Sequence, residues 1–221
     1  GLSFYINDMT RLEKGGIANS SYFAMAFMEN SEKGPGWYNG YINDTYEKHG
    51  FNTEKASAES EIKLKELLNG FKNNPANLVS FISRKTVSQW NEPTFESLYI
   101  LYKRDSLTNT PVWFKNLSVP TSNLNKAIRE IMNIIHILVL FGAFSYFVLE
   151  YKNITIKKLV PAVIIIGGFL FHTVWEAKSQ YILVYFILLI PYAVAGYSTL
   201  AVYIKQTVTT AKHGTFSIQN L

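Results

Sequence analysis

The sequence predicts a mainly α-helical protein, with an extracytoplasmic helical segment followed by three transmembrane helices. Three observations carry that expectation. Charge is unevenly spread: the first 129 of the 221 residues hold 15 basic and 13 acidic side chains, whereas residues 130–221 hold only 6 and 3. Three long apolar runs fill that charge-poor part. The charged part instead shows apolar residues at helical spacing, separated by turn formers.

The apolar runs cover residues 131–149, 159–175 and 181–204, which is 19, 17 and 24 residues. A helix needs roughly 20 residues to cross about 30 Å of hydrocarbon, so the first and third suffice alone and the second needs its flanks. Gly167 and Gly168 in the second run are expected to permit close helix contact. Pro161 falls near the start of its helix, where a missing N–H is harmless. Pro191 lies inside the third run and is expected to kink it, which calls for neighbouring helices to shelter the freed carbonyl. Asn133 and His136, one turn apart in the first run, fit hydrogen bonding between helices.

The connectors set the expected orientation. Lys152, Lys157 and Lys158 lie between the first two runs, and Lys205 and Lys212 follow the third. The other side carries Lys126, Arg129 and Lys178. Positive charge collects in the cytoplasm. Residues 1–129 are therefore expected to form an extracytoplasmic helix-and-loop domain, 130–205 the spans and 206–221 a cytoplasmic tail. Such a protein belongs in the plasma membrane.

Within the outer segment, Ile62, Leu64, Leu67, Leu68 and Phe71 predict a helix over 56–71. Pro75 opens a second, which Asn91-Glu92-Pro93 stops, because the residue before a proline disfavours the helical well. Residues 18–28 suit a short helix. The stretch 34–50, dense in glycine at its start, reads as a loop, and 98–101 and 112–114 read as short extended pieces.

Composition closes off several functions. The net charge of +5 forms no basic stripe, which argues against nucleic acid as a partner. Without cysteine there is no disulfide scaffold, thiolate zinc site or cysteine nucleophile. The four histidines are scattered, so no metal site is expected.

The turn between the second and third runs is the most informative stretch. So few residues join two spans that Glu176, Lys178, Gln180 and Tyr181 must sit at the membrane boundary. A cation there can meet a lipid-borne phosphate and a neighbouring carboxylate can orient it. An ordinary interfacial turn, with aromatic belt residues and a snorkelling lysine, has the same composition. Trp90 and Glu92 at the end of the second outer helix are candidates for an outer site facing sugar or headgroup. A packed helix stop reads the same way. Trp37, Tyr38 and Tyr41 can stack on a sugar ring or simply anchor their loop.

The string Gly167-Gly168-Phe169-Leu170-Phe171-His172-Thr173-Val174-Trp175-Glu176-Ala177-Lys178-Ser179-Gln180-Tyr181-Ile182-Leu183 resembles the late spans of bacterial membrane glycosyltransferases. These are the polyprenyl-phosphate-sugar-dependent enzymes of the GT-C architecture, related to protein mannosyltransferases. Residues 56–95, including Lys85 and the Gln89-Trp90-Asn91-Glu92-Pro93-Thr94-Phe95 close, are similar to the region before those spans in Gram-positive members. The resemblance implies a polyprenyl-phosphate-linked sugar as donor, membrane lipid as surroundings, and the C-terminal part of a longer enzyme. It places Lys178, Glu176, Gln180 and Tyr181 at the lipid phosphate, and Lys85, Trp90 and Glu92 toward the outer site. This chain has Gln180 where similar members carry Arg, and Val184 where they carry Pro. The family's catalytic base lies in an early outer loop, so it is expected upstream, and residues 1–221 alone are expected to be inactive. The rival expectation is a non-enzymatic extracytoplasmic binding module anchored by three spans.

Overall fold

In a computed structural model that describes residues 16–103 and 110–218, those residues are mainly helical. Nine α-helices occur among the described residues: α1 (Asn19–Ala26), α2 (Tyr41–Lys48), α3 (Thr53–Asn73), α4 (Pro75–Trp90), α5 (Ser97–Lys103), α6 (Val112–Ser118), α7 (Asn123–Glu150), α8 (Ile156–Val174) and α9 (Leu183–Ile218). A 3₁₀ turn, Ser179–Ile182, precedes α9. The spans α7, α8 and Ser179–Thr210 are each long and apolar enough to cross a membrane.

Local chemistry accounts for the helix ends. The Asn52 side chain accepts a hydrogen bond from the Lys55 N–H at 3.1 Å and starts α3. Asn74 does the same for Asn77 at 3.4 Å, and Pro75 takes the first position of α4, where no N–H is needed. Ser122 accepts from the Asn125 N–H at 3.1 Å to start α7.

Three expectations need correction. The stretch 34–50 is not all loop, because α2 forms inside it. Gly40 takes a left-handed conformation (φ 88°) that ends the loop, the Asn39 side chain accepts from the Tyr41 N–H, and Ile42 and Thr45 are buried. Residues 98–101 and 112–114 are not extended but lie within α5 and α6. In each, two or three consecutive apolar residues at the surface give a run without period, which conceals a short helix.

The chain divides into two compact units. The first holds the described part of Gly1–Glu92 together with Gly168–Ser179; the second holds Pro93–Gly167 and Gln180–Leu221. Helix α8 thus gives its first part to one unit and its end to the other. In the first unit, α1 lies on α3. Ala24, Ala26 and Ala56 bury there, and the Ser21 and Ser60 hydroxyls meet at 2.7 Å. Small side chains permit that closeness, and pairing gives each of the two buried hydroxyl oxygens a hydrogen-bond partner. Phe27, Phe71 and Phe81 complete the core, with ring centroids 5.2–6.3 Å apart.

In the second unit, α7 and α9 pack at glycines. A Cβ on Gly142 would lie 2.6 Å from a Tyr197 ring carbon, and one on Gly196 would overlap the Gly142 carbonyl oxygen. Of the Gly167-Gly168 pair, Gly167 has nothing within 4 Å of an added Cβ, whereas Gly168 is buried. Tyr146, Tyr192 and Ala143 form the core of this pairing. The Tyr192 hydroxyl donates to the Lys158 carbonyl and accepts from the Ala162 N–H, bonding to the α8 turn that contains Pro161. A polar group within an apolar span is satisfied internally, as lipid requires.

The two glycines differ sharply in what a side chain would meet. Gly196→Val should destabilise the purified protein by at least about 1–3 kcal/mol, the usual overpacking penalty. Gly167→Ala should leave the thermal midpoint in detergent unchanged or slightly raised. Equal midpoints for the two variants would show that α7 and α9 do not pack at Gly196.

Candidate functional site

Phe81, Lys85 and Gln89 occupy successive turns of one face of α4, and all three are buried. That face points at the connector that follows α8. The Lys85 side chain is only 1% exposed, and its ammonium donates to three carbonyls. These are Ala26 at 2.8 Å, Thr173 at 3.2 Å and Trp175 at 2.7 Å. Ala26 ends α1, Thr173 lies in the last turn of α8 and Trp175 follows it. The last carbonyls of a helix lack intrahelical partners and carry the negative end of its dipole. One ammonium therefore closes two helix ends.

Further contacts hold the same connector. The Ala177 N–H donates to the Gly36 carbonyl at 2.8 Å, making a parallel bridge at Trp37 and Ala177. The Gln89 amide donates to the Lys178 carbonyl at 3.3 Å. Trp175 stacks on Tyr22 and Phe171 and meets the edge of Phe23. The Trp37 indole N–H donates to the Ser88 hydroxyl at 2.8 Å, fixing the Gly36 strand on α4. Gly36 has φ 74°, and a Cβ there would lie 2.6 Å from the Ala26 oxygen and 2.7 Å from Lys85 Cε. Only glycine fits.

The candidate residues fall into three groups. Glu176 and Lys178 are half-buried on this clamped connector. Gln180 and Tyr181 belong to the other unit, in the 3₁₀ turn, and both are exposed. Trp90 and Glu92 are half-buried at the end of α4, with the Trp90 ring 5.7 Å from Phe169. Lys85, expected to face an outer site, instead points inward and holds backbone. The sequence reading missed that role, and it also missed Gly36 and Tyr22. The signal for Lys85 was present: it occupies the i+4 position after Phe81, on the buried face that Gln89 continues, where a lysine must find acceptors.

Among the described residues no group of three histidine, cysteine, aspartate or glutamate side chains could hold a metal ion. Comparison with family models, curated proteins and solved structures returns no match for this chain.

Burial draws Lys85 well below the ordinary lysine range, to about 7, and the nearby Glu176 carboxylate offsets part of that. In the unfolded chain the same amine titrates near 10.5. Between these values the unfolded chain holds a proton that the folded chain lacks, so stability rises with pH, by at most about 1.4 kcal/mol per pH unit. The difference in unfolding free energy between wild type and Lys85→Met should therefore grow from pH 7 to pH 10. A difference independent of pH in denaturant titrations would show that Lys85 titrates as an exposed lysine.

Proposed function

We propose that this chain forms the C-terminal, phosphate-side part of an integral membrane glycosyltransferase, moving a sugar from a polyprenyl-phosphate donor to an extracytoplasmic acceptor. The observation that supports this reading is the clamped connector. It carries a carboxylate, Glu176, and a cation, Lys178, two residues apart on backbone held by Lys85, Gly36 and Gln89. Pre-positioned charge is what a site needs when an anion develops during reaction, because no reorganisation is then required.

In the proposed reaction a base takes the proton of the acceptor hydroxyl, and its oxygen attacks the anomeric carbon. The bond from that carbon to the phosphate oxygen breaks, and the lipid phosphate leaves with the electron pair. Lys178 stabilises the new charge, while Glu176 orients the ammonium. No residue of this chain is assigned as the base. In this orientation residues 1–129 and the connector face outward, and the loop around Lys157 and the end of α9 face the cytoplasm. The protein resides in the plasma membrane.

A charge-assisted contact to phosphate is worth about 1.5–3 kcal/mol. Lys178→Ala in the intact parent protein should therefore lower turnover roughly tenfold to a hundredfold, with insertion unchanged, if the contact strengthens in the transition state. Lys178→Arg should retain part of the activity, since a single phosphate reads charge before shape. The measurement is sugar transfer from a polyprenyl-phosphate donor, per folded molecule, in membranes. Equal turnover by the alanine variant and wild type would make Lys178 a membrane anchor. Absence of transfer by the wild-type parent would favour the anchored binding module.

A further inference from the structure

A recess of about 600 Å³ lies within the second unit, between α7 and α9 and against the segment before α5. Its lining begins in the 3₁₀ turn with Gln180 and continues along α9 with Leu183, Phe186, Ile187 and Ile190. Leu183 to Ile190 is seven residues, about 10 Å of helix, so the recess is a slot along the helix and not a round pocket. Met132 on α7 and Leu98 on α5 close its other walls. The polar side chains are Gln180, Thr94 and Ser97. Beyond Phe186 the α9 wall is wholly apolar.

The segment that roofs the slot is held at span depth by aromatic packing. The Phe95 ring meets His136 of α7 at 5.1 Å and Phe186 of α9 at 5.4 Å, both inside apolar runs. Phe95 (φ 50°) and Glu96 (φ 62°) both take the left-handed backbone conformation, costly for side chains of this size. The fold thus accepts strain to place an aromatic residue between two spans and leave a slot beside it. Leu183, Ile187 and Ile190 line that slot while remaining 43%, 52% and 41% exposed, so it opens sideways from the helix pair.

The geometry points to an acyl chain of one outer-leaflet glycerophospholipid as the occupant, with its ester region at Gln180 and Thr94 and its tail along Leu183 to Ile190. Two helices apolar enough to cross a membrane form the walls, so the opening faces hydrocarbon. Water is a poor filler, since a buried water needs two to four polar partners and the deep end has none. The passage from Gln180 and Thr94 at one end to the apolar α9 wall matches the order of a lipid from ester to tail. This inference rests on reading α7 and α9 as spans and on the proposed orientation, which sets the leaflet; it is independent of sugar transfer.

The test uses the full chain in phosphatidylcholine vesicles that contain a phosphatidylcholine with a diazirine midway along one acyl chain. After irradiation, attachment sites are mapped by mass spectrometry. Met132 and Leu98 should be labelled several-fold more than Ile137 and Ile164, which are more exposed but lie outside the slot. Ile187→Trp should fill the slot and remove most label from Met132 while leaving Ile164 unchanged. Leu183→Phe, a smaller filling change, should lower it in part, and keeps the test available if the tryptophan variant does not fold. Even labelling of all exposed apolar positions would overturn the inference. So would label at Met132 that neither substitution lowers. Displacement by a polyprenyl phosphate but not by unlabelled phosphatidylcholine would also overturn it, assigning the slot to a sugar donor instead.

Discussion

One buried lysine side chain organises the first unit. Lys85 joins the end of α1, the end of α8 and the connector beyond it, acceptors that lie 59 to 90 residues from it along the chain. Taking an ion out of water costs several kcal/mol, while each charge-assisted hydrogen bond returns about 1.5–3, so the net stabilisation is small. What the arrangement supplies is position. Removing the amine would take the donor from three carbonyls, two at helix ends and one on the connector, and the connector would lose one of the contacts that fix its path. Gly36 follows from the same constraint, because any side chain there would collide with the Ala26 carbonyl and with the Lys85 stem.

The second unit solves a different problem with different means. Between apolar helices in lipid there is no hydrophobic drive to associate, so contact depends on close packing and on satisfied polar groups. Gly142 and Gly196 bring α7 and α9 together. Tyr197 donates to the Leu138 carbonyl at 2.8 Å, and Tyr192 bonds to α8 at the turn that a proline interrupts. Thr199 reaches the Glu150 carboxylate at 3.0 Å, so an acid near the end of a span has a donor. Where Phe95 enters, packing leaves a slot lined by exposed apolar residues.

Much of this architecture was legible in the sequence, for physical reasons. Length and hydropathy identify the three spans, and Asn74-Pro75 and Asn91-Glu92-Pro93 bracket α4 because cap chemistry is local. Short helices were not legible. In α5 and α6 tertiary contacts decide the state of seven residues, and no period can be read in so few. The helix contact at Gly142 was missed because Gly167-Gly168 is the more conspicuous motif, and only packing reveals which glycine faces a neighbour. For the connector, spacing singled out Glu176 and Lys178, but the residues that hold its backbone, Gly36, Lys85 and Gln89, lie about 90 to 140 positions away. Such long-range pairing leaves one local trace, a lysine and a glutamine on the buried stripe of α4.

The claim that Lys85 fixes the connector is tested most directly by a distance measurement. The chain has no cysteine, so spin labels can be placed at Arg84→Cys and Lys178→Cys without background. With Lys85 intact, pulsed electron resonance should give one narrow distance distribution between α4 and the connector. Lys85→Met should broaden it markedly while α4 itself remains helical. An equally narrow distribution in the methionine variant would show that the connector is held by its other contacts and that Lys85 does not determine its place.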